Sequence, residues 1–512
     1  MQMNYQPVEI YLLLQKIFYY EPAIYNVIKS FLRYRFSSNQ EIRDAIDLYM
    51  FSNQPELALE KYGHISFWDT SQITNMDNLF MPSLTRIKIL KDNNDYKKIN
   101  MSSFNENLND WDTSKVTSMK ALFSGVSNFN QPLDKWDVSK VEDMTSMFSY
   151  CKIFNQSLNS WNVENVRKMT SMFASCKKFN QPLDKWNTKN VEDISKMFEF
   201  CYKFNKSLNS WDVSKVTNMK YMFLSCCNFN QPLDLWNTQN VVDMSCLFHD
   251  CKNFNQNINS WNVAKVKSMK FMFAECSNFN MPLESWNTGQ VTNMEYMFDK
   301  CINFNQPLDS WDVSNVEYMP YLFYDCYQFN QPLNSWKVDK VKNMKSMFAL
   351  CNHFNQSLTS WNTINVSTMY MMFFKCYRFN GNLQGWNTSQ VTDMRDMFML
   401  CASFNQPLNS WDVSNVNYMH GMFAGCAEFN QPLNKWRVSK VTNMQEMFYG
   451  CSKFNQPLNC WDTMNVTYMT RMFQDCEEFD QSLKDWHLHE IQYKQDMFTG
   501  CHKLLNSLNQ LK

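Results

Sequence analysis

Residues 129–151 read F-N-Q-P-L-D-K-W-D-V-S-K-V-E-D-M-T-S-M-F-S-Y-C, and almost the same phrase returns every 25 residues to the end of the chain. Tryptophan marks the register. It stands at Trp111, Trp136, Trp161, Trp186, Trp211 and onward in 25-residue steps to Trp486, and Trp68 opens an earlier copy. All 17 tryptophans of the 512 residues therefore hold one repeat position. Phe comes seven residues before each Trp from Trp111 on, Leu or Ile three before, and Val or Ile five after. Met follows at eight in all copies but those of Ile194 and Lys494, Met or Leu at eleven and Phe at twelve, as in Phe123, Phe148 and Phe173, while Cys151, Cys176, Cys201 and their successors stand ten before. A fixed period of this length is the signature of a solenoid, because a single copy cannot bury its apolar face without its neighbours.

Two periodicities share each copy. In L-x-x-W-x-V the Trp and Val are two apart, which predicts a short strand with both on one face. In V-x-x-M-x-x-M-F the apolar residues fall at i, i+3, i+6 and i+7, which predicts one or two helical turns, capped by residues such as Ser114, Thr117 or Ser139. F-N-Q-P-L is then the return turn, with Pro132, Pro182 or Pro407 holding φ. The expected fold class is thus a repeat solenoid, LRR-like, with one short parallel β-strand plus one short helical turn per 25-residue coil. A helical N-terminal cap over residues 1–61 precedes a solenoid of 62–512, with an insertion near 82–101 and a C-terminal half-coil at 501–512. Val8 to Phe18, Tyr25 to Tyr34 and Glu41 to Met50 read as the helices of that first segment.

The pattern L-x-x-W-x-V together with the M-F-x-x-C-x-x-F corner resembles the BspA-like leucine-rich-repeat family. The branch is its 25-residue one, known from mycoplasma lipoproteins, protists and giant viruses. The resemblance covers Tyr62 to Lys512, and the lead-in E-K-Y-G-H-I-S-F-W-D-T-S is similar to that family's entry segment. It implies an LRR-like solenoid with a binding role, and adhesion at the cell surface among bacterial members. Abundant Asn, Lys, Phe and Tyr beside scarce Gly suggests AT-rich coding, which points to a giant virus or a protist.

Chemistry is sparse. Lys and Arg number 48 against 49 Asp and Glu, a formal net charge of −1, without blocks of like charge. That balance argues against nucleic acid as a partner. Nine glycines leave little for phosphate-cradling loops, and neither G-x-x-x-x-G-K nor G-x-G-x-x-G occurs. No apolar run is long enough for a membrane span, and no signal peptide or anchor is read, so an intracellular location is expected. No catalytic triad, paired-carboxylate site, cofactor motif or metal set is read; His487 and His489 form an H-x-H with no carboxylate or Cys on their face. The expected reading is a non-enzymatic protein-binding or scaffolding repeat protein of unknown partner.

The ladders read as structural. The cysteines lack the geometry of a disulfide array and act as small buried hydrophobes, with Cys227, Cys246 and Cys460 off the ladder and more exposed. Asn130, Asn155, Asn180 and their equivalents bond turn backbone to the neighbouring coil. Asp or Asn after Trp, as at Asp112 and Asn162, satisfies backbone donors. Specificity is expected at positions next to each Trp and on the helical turn, such as Lys135, Ser160, Leu235, Lys337 and Arg437. Two alternatives stand beside this. Pro7-Val8-Glu9-Ile10 and Ile17-Phe18 faintly resemble the opening of an F-box, so residues 1–61 would dock a Skp1-type adaptor and make the chain a substrate receptor of a ubiquitin ligase. The other is a surface adhesin.

Overall fold

Every coil from Trp111 on turns at two residues with left-handed backbone. In the coil of Trp136 these are Ser146 (φ 56°) and Tyr150 (φ 62°). Positive φ at the third residue is what a type II turn requires. Met147 N–H donates to Met144 C=O at 3.1 Å and Cys151 N–H to Phe148 C=O at 2.9 Å, closing two such turns. The intervening N–H groups point along the stack instead. Met144 donates to Lys168 C=O (2.9 Å), Ser146 to Thr170 (2.8 Å), Phe148 to Met172 (2.9 Å) and Tyr150 to Ala174 (2.7 Å).

This geometry corrects the expected strand and helix. In the computed structural model, which describes residues 33–52, 54–82, 103–486, 488 and 491–504, the coils contain no named strand and no α-helix among the described residues up to Cys501. Parallel pairing is reduced to one isolated bridge per coil, such as Asp143↔Lys168. It falls on V-x-x-M-x-x-M-F, the segment expected to be helical. Left-handed residues ten and fourteen places after each Trp from Trp111 on interrupt the i→i−4 bonding that a helix needs, and the freed N–H groups bond the next coil. The expected strand is a turn: Trp136 N–H closes on Leu133 C=O at 3.2 Å. With no helix to cap, Thr117 Oγ1 donates to Thr74 C=O of the preceding coil (3.2 Å).

The apolar residues of both periodicities nonetheless share one interior. Leu133, Val141, Met144, Met147 and Phe148 are fully buried. Rings of successive coils lie face to face, with centroids 6.5 Å apart for Trp136 and Trp161 and 5.6 Å for Phe148 and Phe173, inside the range of favourable aromatic pairs. The chain forms two compact units, Met1–Asn240 and Val241–Lys512. The bridges run from Asn75↔Ser118 to Asp193↔Asn218 in the first and from Asp243↔Ser268 to Tyr468↔Tyr493 in the second.

In the first unit two helices, α1 (Asn39–Phe51) and α2 (Pro55–Tyr62), precede the coil of Trp68. Ser38 caps α1, and Glu41 in its first turn reaches back to the residue before the cap. Ser38 Oγ accepts from Glu41 N–H, and the Glu41 carboxylate accepts from Ser37 N–H at 2.8 Å. Pro55 opens α2 where its missing N–H costs nothing. Helix α1 then supplies side chains where a preceding coil would supply backbone. Asn39 Oδ1 accepts from Thr74 N–H (3.0 Å) and Asn75 N–H (3.2 Å), and Arg43 Nη2 donates to Asp77 C=O (2.8 Å). Phe36 and Tyr62 pack on Trp68 at 4.9 and 6.1 Å between centroids. The helix read at Glu41 to Met50 is α1; the one at Val8 to Phe18, nearly all of the one at Tyr25 to Tyr34, nearly all of the 82–101 insertion and most of the half-coil lie outside the described residues.

A candidate binding surface on the turn edge

The ladder residues are held inside and already have partners. Trp111, Trp136, Trp161, Trp186 and Trp211 are buried, and the indole N–H of Trp136, Trp161, Trp186 and Trp211 donates to a Leu carbonyl of the preceding coil, as Trp136 does to Leu108 (2.9 Å); Trp111 donates to Ile65 C=O (2.9 Å). Phe123, Phe148 and Phe173 have no exposed surface, and their carbonyls accept the thiols of Cys151, Cys176 and Cys201 at 3.0 Å. The cysteines are thus hydrogen-bond donors as well as small hydrophobes. Burial pushes these three thiols well above the ordinary range, so they are poor nucleophiles. Asn130, Asn155 and Asn180 accept through Oδ1 from the backbone N–H of Asn155, Asn180 and Asn205 at 2.8–2.9 Å.

Off the ladder, Cys460 is exposed, Cys227 half-buried and Cys246 buried, which corrects the expectation for Cys246. Asp112 accepts from Ser114 N–H at 3.0 Å. His487 and His489 lie outside the described residues. Among the described residues no three His, Cys, Asp or Glu are grouped to hold a metal ion, and no helix is long and apolar enough to cross a membrane.

What varies is carried outward by the two turns. In the second unit several aromatic and cationic side chains seven, nine, ten or thirteen places after Trp line up in one row. His249 stacks on Phe271 (5.5 Å), Phe271 on Tyr296 (4.5 Å) and Tyr296 on Tyr321 (4.4 Å). Lys345 continues the row over both Tyr321 (5.4 Å) and Tyr370 (5.1 Å). Arg395 lies between Tyr370 (4.7 Å) and Tyr418 (5.2 Å), its guanidinium held by Asp393 through Nε (2.9 Å) and Nη2 (2.7 Å). Tyr318 and Tyr418 remain 46% and 48% exposed on this edge. Beneath it burial pushes Asp299 up to about 7 and Asp396 up to about 6. Lys300 pairs with Glu275 at 3.0 Å beside Asp299.

This arrangement supplies flat aromatic surface, one positioned guanidinium and no nucleophile with an adjacent base. The expected positions beside Trp are also exposed; there Lys135 is engaged by Asp110 (2.9 Å), whereas Leu235 is bare. The aromatic row itself was missed. Its members stand 22–25 residues apart at places where other coils carry Ser, Asp or Lys, so no local window shows them together.

Among solved structures similar to this chain is a leucine-rich cell surface protein from Faecalibacterium prausnitzii. It is 13% identical over 67% of this chain and 78% of that one, with a TM-score of 0.30. Another is a plant peptide hormone receptor in complex with its peptide, 9% identical over 81% and 78% of the two chains, with a TM-score of 0.22. No curated protein matches the sequence. The family model described as "Mycoplasma protein of unknown function, DUF285" matches residues 47–86, 93–205, 180–281, 258–361, 343–448 and 408–511. With its 25-residue phrase matched from the first coil to the last, the chain belongs to the DUF285 family.

Proposed function

We propose that the protein is a non-enzymatic scaffold that binds a protein partner along the turn edge of residues 249–418, on coils of the BspA-like leucine-rich-repeat kind. One observation carries this reading. The core ladders, the Trp411 indole apart, have their partners inside the coils, whereas the row from Phe271 to Tyr418 offers ring surface and the Arg395 guanidinium outward. Tyr and Arg are the residues that dominate protein interfaces, because they bury much area at little entropic cost and combine apolar surface with donors. Helices α1 and α2 serve as a cap. Their polar groups Asn39 and Arg43 are engaged by the first coil, which lends no support to adaptor docking by residues 39–61. The P-x-E-I motif at 7–10 lies outside the described residues.

The test is affinity capture from eukaryotic lysate with the full chain and with Tyr318→Ser/Tyr370→Ser/Arg395→Ala. A Leu235→Ser chain serves as the control for an exposed position off this edge. Recovery of a partner should fall at least tenfold with the triple variant and stay unchanged with the control, as expected when hot-spot residues of more than ~1.4 kcal/mol are removed. Equal recovery by all three chains would place binding elsewhere.

A further inference from the structure

Lysines that are dispersed in the sequence gather on one edge of the first unit. Nine and eight residues before three consecutive tryptophans stand Lys152-Ile153, Lys177-Lys178 and Tyr202-Lys203, and Lys206 follows at the next outward place. Stacked coils make these side chains neighbours. Lys177 Nζ stands 5.6 Å from the ring centroid of Tyr202, one coil on, and Phe200 meets Tyr202 at 6.3 Å. Through Phe200 the edge continues to Glu199 and Lys196, and Lys196 and Lys220 both stand over the Tyr221 ring (5.2 and 5.1 Å). No Asp or Glu occurs at 152–156, 177–181 or 202–206, and among the described residues none of Lys152, Lys177, Lys178 and Lys203 forms an ion pair. Glu199, next to Phe200 in the sequence, is half-buried. Between the ammonium groups lie exposed apolar side chains: Tyr150 is 57% exposed, Ile153 41% and Tyr202 37%.

We propose that this edge docks on the surface of an anionic phospholipid bilayer, its lysines over the headgroups and Tyr150, Ile153 and Tyr202 at headgroup depth. Three observations select this occupant over another polyanion. Every cation at 152–206 on this edge is Lys, a hydrated point charge suited to diffuse attraction, and none is Arg, whose planar fork reads individual phosphates and bases. The faces of Tyr202 and Tyr221 carry ammonium groups, which leaves them poor platforms for stacking a nucleobase. Ile153, an aliphatic side chain set between Lys152 and Lys178, gains nothing from a nucleic-acid backbone but gains from the acyl boundary, as in other interfacial anchors.

Co-sedimentation of the full chain with vesicles tests this, using phosphatidylcholine alone and phosphatidylcholine with about 30% phosphatidylserine, the leaflet charge that attracts basic segments. Binding should require phosphatidylserine and weaken steeply as salt shortens the screening length. Each charge removed should cost about fivefold, so Lys177→Glu/Lys178→Glu/Lys203→Glu should lose more than a hundredfold. All three residues are exposed, and an unchanged thermal unfolding curve reports that the variant is folded. Tyr150→Ser/Ile153→Ser should weaken binding while leaving its salt dependence as it was. The proposal is overturned if neutral vesicles bind equally or if the lysine variant binds as the natural chain does. Capture of a single-stranded oligonucleotide through these lysines, without vesicle binding, would overturn it too. So would competition by millimolar inorganic phosphate, which would mean a site for a free anion.

Discussion

Left-handed backbone without glycine is the residue-level oddity of this protein. Side chains as large as Tyr221, Phe271 and Arg471 hold φ near +57° ten places after Trp, where Gly421 stands once. Each costs about 1 kcal/mol against an extended or helical φ, and the hydrogen bonds on either side over-determine it. Glycine is needed where space, rather than φ, is short. At Gly381 a Cβ would lie 2.1 Å from the carbonyl oxygen of Gln356. At Gly450, with φ +68°, the nearest atom would be 3.7 Å away. Gly381→Ala is therefore expected to destabilise by roughly 2–3 kcal/mol through forced backbone movement, and Gly450→Ala by no more than about 1 kcal/mol. Urea midpoints of the two variants check the order. The same F-N-G-N-L stretch, with Gly and Asn for Gln and Pro, accompanies the one lapse of the indole ladder: Trp411 Nε1 is buried with no hydrogen-bond partner among the described residues.

The element of this fold is the coil, and side-chain amides do in it much of what strands do elsewhere. The row from Asn130 to Asn180 takes backbone N–H groups that no strand partner reaches. Asn155→Leu would leave the Asn180 N–H without its acceptor in a half-buried turn, at an expected cost of about 1–2 kcal/mol. Asn162→Ala, one place after Trp, releases only the exposed Glu164 N–H to water and should cost about 0.5 kcal/mol or less. Hydrogen exchange at Asn180 and Glu164 in the two variants separates these outcomes. The amide ladder was legible from the repeat alone, since a polar residue that returns so regularly has to serve backbone. The strand and helix were not. An i, i+3, i+6, i+7 stripe fits a helix and fits equally a pair of type II turns whose odd N–H groups close locally and whose even ones cross to the next coil.

At the scale of the whole molecule, stacking makes neighbours of residues 25 apart, and charge then acts collectively. Asp299, only 8% exposed, lies in the second unit near Glu275 and Asp325, and burial together with those carboxylates outweighs Lys300. Its folded value of about 7 stands above the ordinary 3.8, so between those limits the folded state binds more protons than the unfolded one. Its contribution is therefore fully present below pH 4 and is lost as pH rises through about 7. Asp299→Asn is expected to raise stability at pH 7.5 by up to about 4 kcal/mol and to flatten the slope between pH 4 and 7. Thermal unfolding across that range reads both effects, and an unchanged slope would contradict the assignment. Evenly spread charge hides this cluster from a linear reading, as it hides the lysine edge of the first unit.

The 25-residue coil, the burial of its Trp, Met, Phe and Cys ladders and the backbone-serving role of its Asn row were legible in the sequence. All of these repeat in place, and repetition alone implies that like stacks on like. The backbone path and the outward faces depend instead on how the coils stack. The left-handed turns exist because the next coil takes their N–H groups, and the aromatic and lysine rows exist because stacking brings side chains from separate coils within contact of one another. Neither cause acts within one copy of the repeat, so neither is written in it.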